Sequence, residues 1–411
     1  MSNVATQLLT VTNALIFDGS SPDLTAGSIV FRDGVIEAVG DVAPVGEVVD
    51  AGGKVVVPGL IDAHFHAYAV GLGGFEVERG PLSYAALVGA QRLGSALKRG
   101  FTTVRDVAGG DIGLAKAVRG GVFKSPRYLF TGPAMSQTGG HGDPRAEDLD
   151  LCFSHGHMCS VVDGVDDLRK AVRDRFRTGS HAIKIMTSGG VVSLTDPIRV
   201  PQYSAAEIQA VVEEAGRRNS YVAAHAYSPE AIKHSVENGV RSIEHGNLMD
   251  QETAELMARH GSYLVPTLAA YDAMNRRGEA LGLHPISQVK NAEVLESGKT
   301  AIELALAAGV KVGFGSDLMG DLENDQLVGV RLQTEVAGVF ETLRSMTSVN
   351  AEILQDTRIG RIGAGAHGDV VILDGNPFED PAALWDESRP RVVIQAGRVV
   401  TAPVEPVFNT Q

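Results

Sequence analysis

The chain has 411 residues, a formal net charge of −14 and a hydrophobic content of 44%. That length fits a barrel-sized domain with a smaller companion, and the acidity argues against nucleic acid or an acidic membrane surface as a partner, because both need a basic footprint. Two cysteines make no disulfide framework, and the opening MSNVATQLLT has neither a basic nor an apolar targeting region, so with no apolar run near the roughly 20 residues of a membrane helix the chain is expected to be cytoplasmic.

Forty-eight glycines, above an average usage of about 7%, suggest many tight loops between short elements. Residues 6–57 read as β. LLTVTNALIFDG, GSIVFRDGVIEAVG and EVVDAGGKVVVPG are short apolar or alternating runs separated by turn pairs such as Asp33-Gly34. From about residue 59 the pattern becomes apolar strands alternating with amphipathic helices. LIDAHFHA, FTTVRDV, RYLFTGP, AIKIMTSGG, YVAAHAY, RSIEHG, SYLVPTL and KVGFGSD are the strand candidates in series. Among the helices, SAAEIQAVVEEAGRRN opens with a Ser204/Glu207 capping box and presents Ile208, Val211, Val212 and Ala215 on one face. Another starts at Ser228-Pro229, and DDLRKAVRDRFRTG stops at Gly179. The tail, HGDVVILDG to RVVIQAGRVVTA, returns to β. The expected fold is α/β, a (β/α)8 TIM barrel over 59–361. A small composite β-sandwich domain from 1–58 plus 362–411 would join the two chain ends.

Catalytic groups of such a barrel sit at the C-terminal ends of the strands. The polar residues there are His64 and His66 on the first strand, Lys184 on the fourth, His225 on the fifth, His245 on the sixth and Asp317 on the eighth. A single strand-end histidine is unremarkable, Lys184 alone would read as a snorkelling rim residue, and Asp317 alone as a cap. Their joint appearance in barrel order points to a metal site. Imidazole and carboxylate suit zinc and related divalent ions. Six groups exceed the needs of one catalytic zinc and suit two metals about 3.5–4 Å apart. A lysine ammonium would repel cations, whereas carbamylation by CO2 would make it an anionic two-oxygen bridge.

At this point the chain resembles the amidohydrolase superfamily, binuclear-metal subtype. PGLIDAHFH, the lysine of AIKIMTSGG, AHAY, IEHG and GSD match its metal motifs in order, and ALIFDG and GDVVILDGNP match its composite β-sandwich. TGGHGD, KIMTSGGVVSLTDP and AHAYSPEAI look like the branch of prolidase-like and Xaa-Arg/Lys dipeptidases, imidazolonepropionase-related proteins and ochratoxin-hydrolysing amidases. The resemblance implies that His64, His66 and Asp317 bind one metal, that His225 and His245 bind the other, and that carboxylated Lys184 bridges two Zn2+ or related ions. It further implies a hydroxide between the metals as nucleophile and a carbonyl polarised by one metal. Asp317 would accept the proton and pass it to the leaving nitrogen. His141, in QTGGHGD, would contact substrate and stabilise an oxyanion.

Tyr227, two residues beyond His225, is a candidate hydrogen-bond donor in the same mouth. Asp106 is either a support for a ligand imidazole or a structural group. CFSHGHMC places Cys152, His155, His157 and Cys159 close together, a second zinc candidate or part of a lid. The preceding DPRAEDLD reads as solvated loop rather than a calcium site. The expected activity is hydrolysis of a dipeptide or N-acyl amino acid next to its C-terminal residue. A xenobiotic amide, carbamate, urea or cyclic amide is the alternative within enzymes, and a catalytically silent barrel scaffold the alternative outside them. The partner is then a small molecule, and a homo-oligomer remains open.

Overall fold

Alternating and β-branched runs at both chain ends pair into one sheet. The computed structural model describes residues 6–73, 78–145, 152–153, 156–194 and 196–401. The N-terminal strands are β1 (Leu8–Ile16), β2 (Thr25–Arg32), β3 (Val35–Gly40), β4 (Glu47–Asp50) and β5 (Val55–Pro58). The alternation of β2 and β3 suits an antiparallel pair with one wet face, and the unbroken Val55–Val57 run of β5 is buried on both sides.

The barrel strands follow: β6 (Leu60–Phe65), β7 (Phe101–Asp106), β8 (Arg127–Phe130), β9 (Ala134–Ser136), β10 (Cys159–Val161), β11 (Ile183–Met186), β12 (Val222–Ala226), β13 (Ser242–His245), β14 (Tyr263–Val265) and β15 (Lys311–Val312). Parallel pairing runs β6-β7-β8 and, separately, β9-β11-β12-β13-β14-β15, with β10 beside β9. The two arcs are joined at both seams. β8 and β9 are successive pieces of one strand interrupted at Thr131–Pro133; His181 donates its N–H to Phe130 O, and Met135 registers with Ile185. Across the other seam Ala63 N–H bonds Phe314 O and Asp317 N–H bonds His64 O, at 2.9 and 2.8 Å. The Asn350 amide clamps this seam, donating to Ile61 O and Phe314 O at 2.7 and 2.8 Å. Stacked Phe101 and Phe314 rings (5.6 Å between centroids) fill the space beneath. Such a pair contributes about 0.5–1.5 kcal/mol beyond its burial.

The helices that cover the barrel include α1 (Leu82–Lys98), α2 (Ile112–Arg119), α3 (Val165–Arg177), α4 (Ala205–Gly216), α5 (Pro229–Glu237), α6 (Gln251–His260), α7 (Leu268–Arg277) and α8 (Pro285–Ala307). The Ser204/Glu207 capping box starts α4, which buries Ile208, Val211 and Ala215. Ser228 caps α5 ahead of Pro229. α3 ends two residues before Gly179, whose φ of +94° turns the chain back toward β11. Strands β16 (Val370–Ile372), β17 (Val392–Gln395) and β18 (Arg398–Val399) then complete the first sheet, in the order β18-β17-β16-β5-β1-β2-β3 with β4 on β1. Arg127 ties sheet to barrel through Asp369 at 2.6 Å. Among the described residues no helix is long and apolar enough to cross a membrane.

Candidate metal centre and active site

His64, His66, Lys184, His225, His245 and Asp317 line one cavity at the C-terminal mouth of the barrel. Ligand atoms of His64, His245 and Asp317 fall within 4.8 Å of one another. Lys184 and Met186, two residues apart on β11, both face the cavity. Two of these residues lie in the left-handed region: His245, at the end of β13, has φ +79° and Asp317 φ +54°. That conformation costs about 1–2 kcal/mol for a residue with a Cβ, and here it swings both side chains inward. Arg92, buried on α1, holds the loops behind them by donating to Ala69 O and Leu318 O.

Each imidazole turns one ring nitrogen to a protein group outside the six. His64 Nδ1 lies 2.7 Å from Glu244 Oε2. His66 Nδ1 lies 3.4 Å from Ala108 O, and His225 Nε2 lies 3.2 Å from Gly189 O. His245 Nδ1 is shared by Thr267 Oγ1 at 2.9 Å and the Tyr271 hydroxyl at 2.7 Å. Asp317 Oδ1 sits 2.8 Å from His66 Nε2 and 3.3 Å from His64 Nε2. The Lys184 ammonium is buried and has no hydrogen-bond partner among the described residues.

The electrostatics follow from this crowding. Burial pushes the Lys184 amine down to about 8, against the pull of Glu244 and Asp317. Burial, with neighbouring His141, His245 and Lys184, holds His225 well below its ordinary value. Burial would raise the Asp317 carboxyl, but His64 and His66 outweigh it and hold it well below the usual carboxylate range. Glu244 is likewise held ionised despite burial, by Arg105 at 2.7 Å and by His64.

Of the remaining sequence candidates, His141 stacks on His225 with ring centroids 4.1 Å apart. Its Nδ1 lies 2.8 Å from Ser193 Oγ. Tyr227 stacks on His245 at 4.9 Å and its hydroxyl meets that of Tyr271 at 2.8 Å. Both line the cavity. Asp106 accepts from Ala67 N and the Tyr128 hydroxyl at 3.0 and 2.8 Å, and its other oxygen is 4.0 Å from His66 Nδ1. It therefore supports the loop that carries His66. In CFSHGHMC, His155 lies outside the described residues, as do 146–150 of DPRAEDLD. Cys152 is exposed, whereas the Cys159 thiol faces the cavity and is pushed up to about 12 by burial. The Glu78 carboxylate accepts the backbone N–H groups of His157, Met158 and Cys159, fastening this segment beside the mouth.

Sequence reasoning missed the residues behind the ligands: Glu244, Arg105, Thr267, Tyr271, Ser193 and Asp196. A glutamate beside a ligand histidine in IEHG, and an arginine inside the apolar strand TTVRDV, were the available signals. Buried charges inside a barrel demand partners.

The amidohydrolase family model matches residues 55–400. Ochratoxinase from Aspergillus niger is 30% identical over 423 aligned residues, covering 95% of this chain and 86% of that protein. The solved structure of A. niger ochratoxinase gives a TM-score of 0.84 at 27% identity, covering 97% of this chain and 96% of that one. A prolidase solved in complex with N-methylphosphonate-L-proline is 41% identical, with a TM-score of 0.93 over 97% of this chain and all (100%) of that one. A Xaa-Pro dipeptidase with bound methionine is 28% identical, with a TM-score of 0.86 over 96% and 100% of the two chains. The chain belongs to the amidohydrolase family and is a hydrolase of carbon–nitrogen bonds.

Proposed function

We propose that this enzyme hydrolyses dipeptides or N-acyl amino acids at the bond preceding the C-terminal residue. In this reading His64, His66, Lys184, His225, His245 and Asp317 hold two divalent ions, zinc being the first candidate. The observation that carries it is the buried donor set. Each of the four imidazoles turns one nitrogen to a protein group outside the candidate ligand set, which orients the ring as metal sites require. Among the described residues the Lys184 ammonium has no hydrogen-bond partner, so a group supplied from outside fits there. Its amine, lowered to about 8, is partly uncharged near neutrality and able to take up CO2 as a carbamate. When bound, the two ions lower the pKa of water and polarise the scissile carbonyl.

The chain's own groups supply the rest. Asp317, held ionised, takes the proton of the attacking water and delivers it to the leaving nitrogen. With His245 Nδ1 protonated, a donor chain runs through Tyr271 O–H to Tyr227 O–H. The Tyr227 proton is thereby left for a substrate oxygen, and burial keeps the phenol protonated by raising it well above its ordinary value. His141 offers Nε2 beside it. The other walls include Leu72, Met158, Met186, Val191, Val192 and Met274, which exclude water and suit an apolar side chain. In this reading 59–361 is the domain that carries the chemistry, and 1–58 plus 362–411 form the companion domain that supports it.

The dipeptide class is supported by the likeness to a prolidase and a Xaa-Pro dipeptidase. The apolar walls and the 30% identical ochratoxinase favour a second reading, a xenobiotic aromatic amide. Metal analysis with a ninhydrin assay on a dipeptide panel, run beside N-acyl amino acids and ochratoxin-type amides, separates them. Turnover confined to the xenobiotic panel would replace the first reading by the second.

A further inference from the structure

A turn that holds none of the six candidate ligands is fastened to His141 from behind. Lys290, near the start of α8, places its ammonium among three carbonyl oxygens of residues 190–196: Gly190 at 3.0 Å, Ser193 at 2.9 Å and Asp196 at 3.1 Å. An ammonium has three donors and no acceptor, so this set satisfies it completely. Inside the turn the Asp196 carboxylate, 3% exposed, accepts the Ser193 hydroxyl and the Gly190 N–H. His141 Nδ1 meets this assembly, 2.8 Å from Ser193 Oγ and 3.5 Å from Asp196 Oδ2. The Ser193 proton is committed to Asp196, so its oxygen accepts and His141 Nδ1 carries the hydrogen. The ring is also held by packing. His225 stacks on it at 4.1 Å, and a Cβ on Gly190 would stand 2.0 Å from its Cε1.

We infer that Lys290, Asp196 and Ser193 are positioning residues for the reaction, holding His141 so that its Nε2 is presented to the substrate. This rests on the proposal that His141 contacts substrate. A lysine that merely stapled a surface turn would add stability whatever stood at position 141. A positioning assembly acts only through His141, and the two differ in coupling.

The test is a double-mutant cycle on zinc-loaded enzyme with leucylproline as the probe. Lys290→Met and Asp196→Asn are each measured alone and combined with His141→Asn. Each single variant is expected to lower kcat/KM about 10- to 100-fold at unchanged metal content, and to change it less than about threefold once His141 is replaced. Ring ¹⁵N shifts of His141 in the metal-free protein are expected to show an Nδ1–H tautomer that becomes mixed in Asp196→Asn. Should Lys290→Met not fold, Asp196→Asn carries the cycle alone. Losses that multiply, single variants with no loss beside an impaired His141→Asn enzyme, or ring shifts untouched by Asp196→Asn overturn the inference and leave His141's own role standing. A fully active His141→Asn enzyme removes that role, and the inference with it.

Discussion

His64 Nδ1 lies 2.7 Å from Glu244 Oε2 at the centre of the barrel, and the other Glu244 oxygen meets Arg105 at 2.7 Å. A wholly buried arginine thus fixes a carboxylate that fixes a candidate metal ligand. Glu244→Gln keeps the shape but removes the charge that selects the His64 tautomer. Zinc affinity is expected to fall about 10- to 100-fold, read by chelator competition. Arg105→Met leaves the buried Glu244 carboxylate without its guanidinium partner, with only His64 Nδ1 and the Ser242 hydroxyl beside it, and unfolding in urea should show a loss of about 3–5 kcal/mol. An unchanged affinity in Glu244→Gln would mean that the pair serves the fold alone.

The Lys184 amine gives a pH dependence with a definite sign. Below about 8 the protonated form, which cannot add CO2, dominates and the free fraction falls with pH; above it the free amine dominates. At constant dissolved CO2, the rate of reactivating metal-free enzyme with zinc should rise about tenfold per pH unit below that value and level off above it. Lys184→Ala should be inactive, with partial rescue by short carboxylic acids. A reactivation rate flat from pH 6 to pH 9 would contradict the carbamate.

Tyr271 joins the His245 imidazole to the Tyr227 hydroxyl. Thr267 still holds His245 when that hydroxyl is removed. Tyr271→Phe should therefore keep its metal and lose about tenfold in kcat/KM, close to one hydrogen bond at about 1.4 kcal/mol. Loss of metal instead would assign Tyr271 to the ligand rather than to Tyr227.

A dipeptide presents a free carboxylate, and charge-assisted hydrogen bonds contribute about 1.5–3 kcal/mol each. Amidating the substrate's C-terminus should lower kcat/KM at least about a hundredfold, roughly 2.7 kcal/mol. His141→Ala and Tyr227→Phe should shrink that preference with metal content intact. Equal cleavage of amidated and free substrates would favour the xenobiotic reading.

The barrel and its candidate ligands were legible because period-2 apolar runs and strand-end histidines are local signals. His64 and His66 announce themselves two residues apart on one strand, and the Ser204/Glu207 box marks its helix directly. What was not legible depends on long-range closure. Glu244 meets Arg105 across 139 positions, and Lys290 meets Gly190 across 100; no periodicity encodes either. The third strand was read as RYLFTGP, and its second piece, Ala134–Ser136, was missed because Thr131–Pro133 reads as the end of the apolar run.

The central claim is that six residues hold two metal ions beside a modified lysine. Anomalous diffraction at the zinc edge, from crystals of active zinc-loaded enzyme, tests it most directly. The account predicts two peaks enclosed by His64, His66, Lys184, His225, His245 and Asp317, with density extending beyond Lys184 Nζ. Strong peaks elsewhere and none among these residues, or an unmodified Lys184 in fully loaded active enzyme, would contradict it.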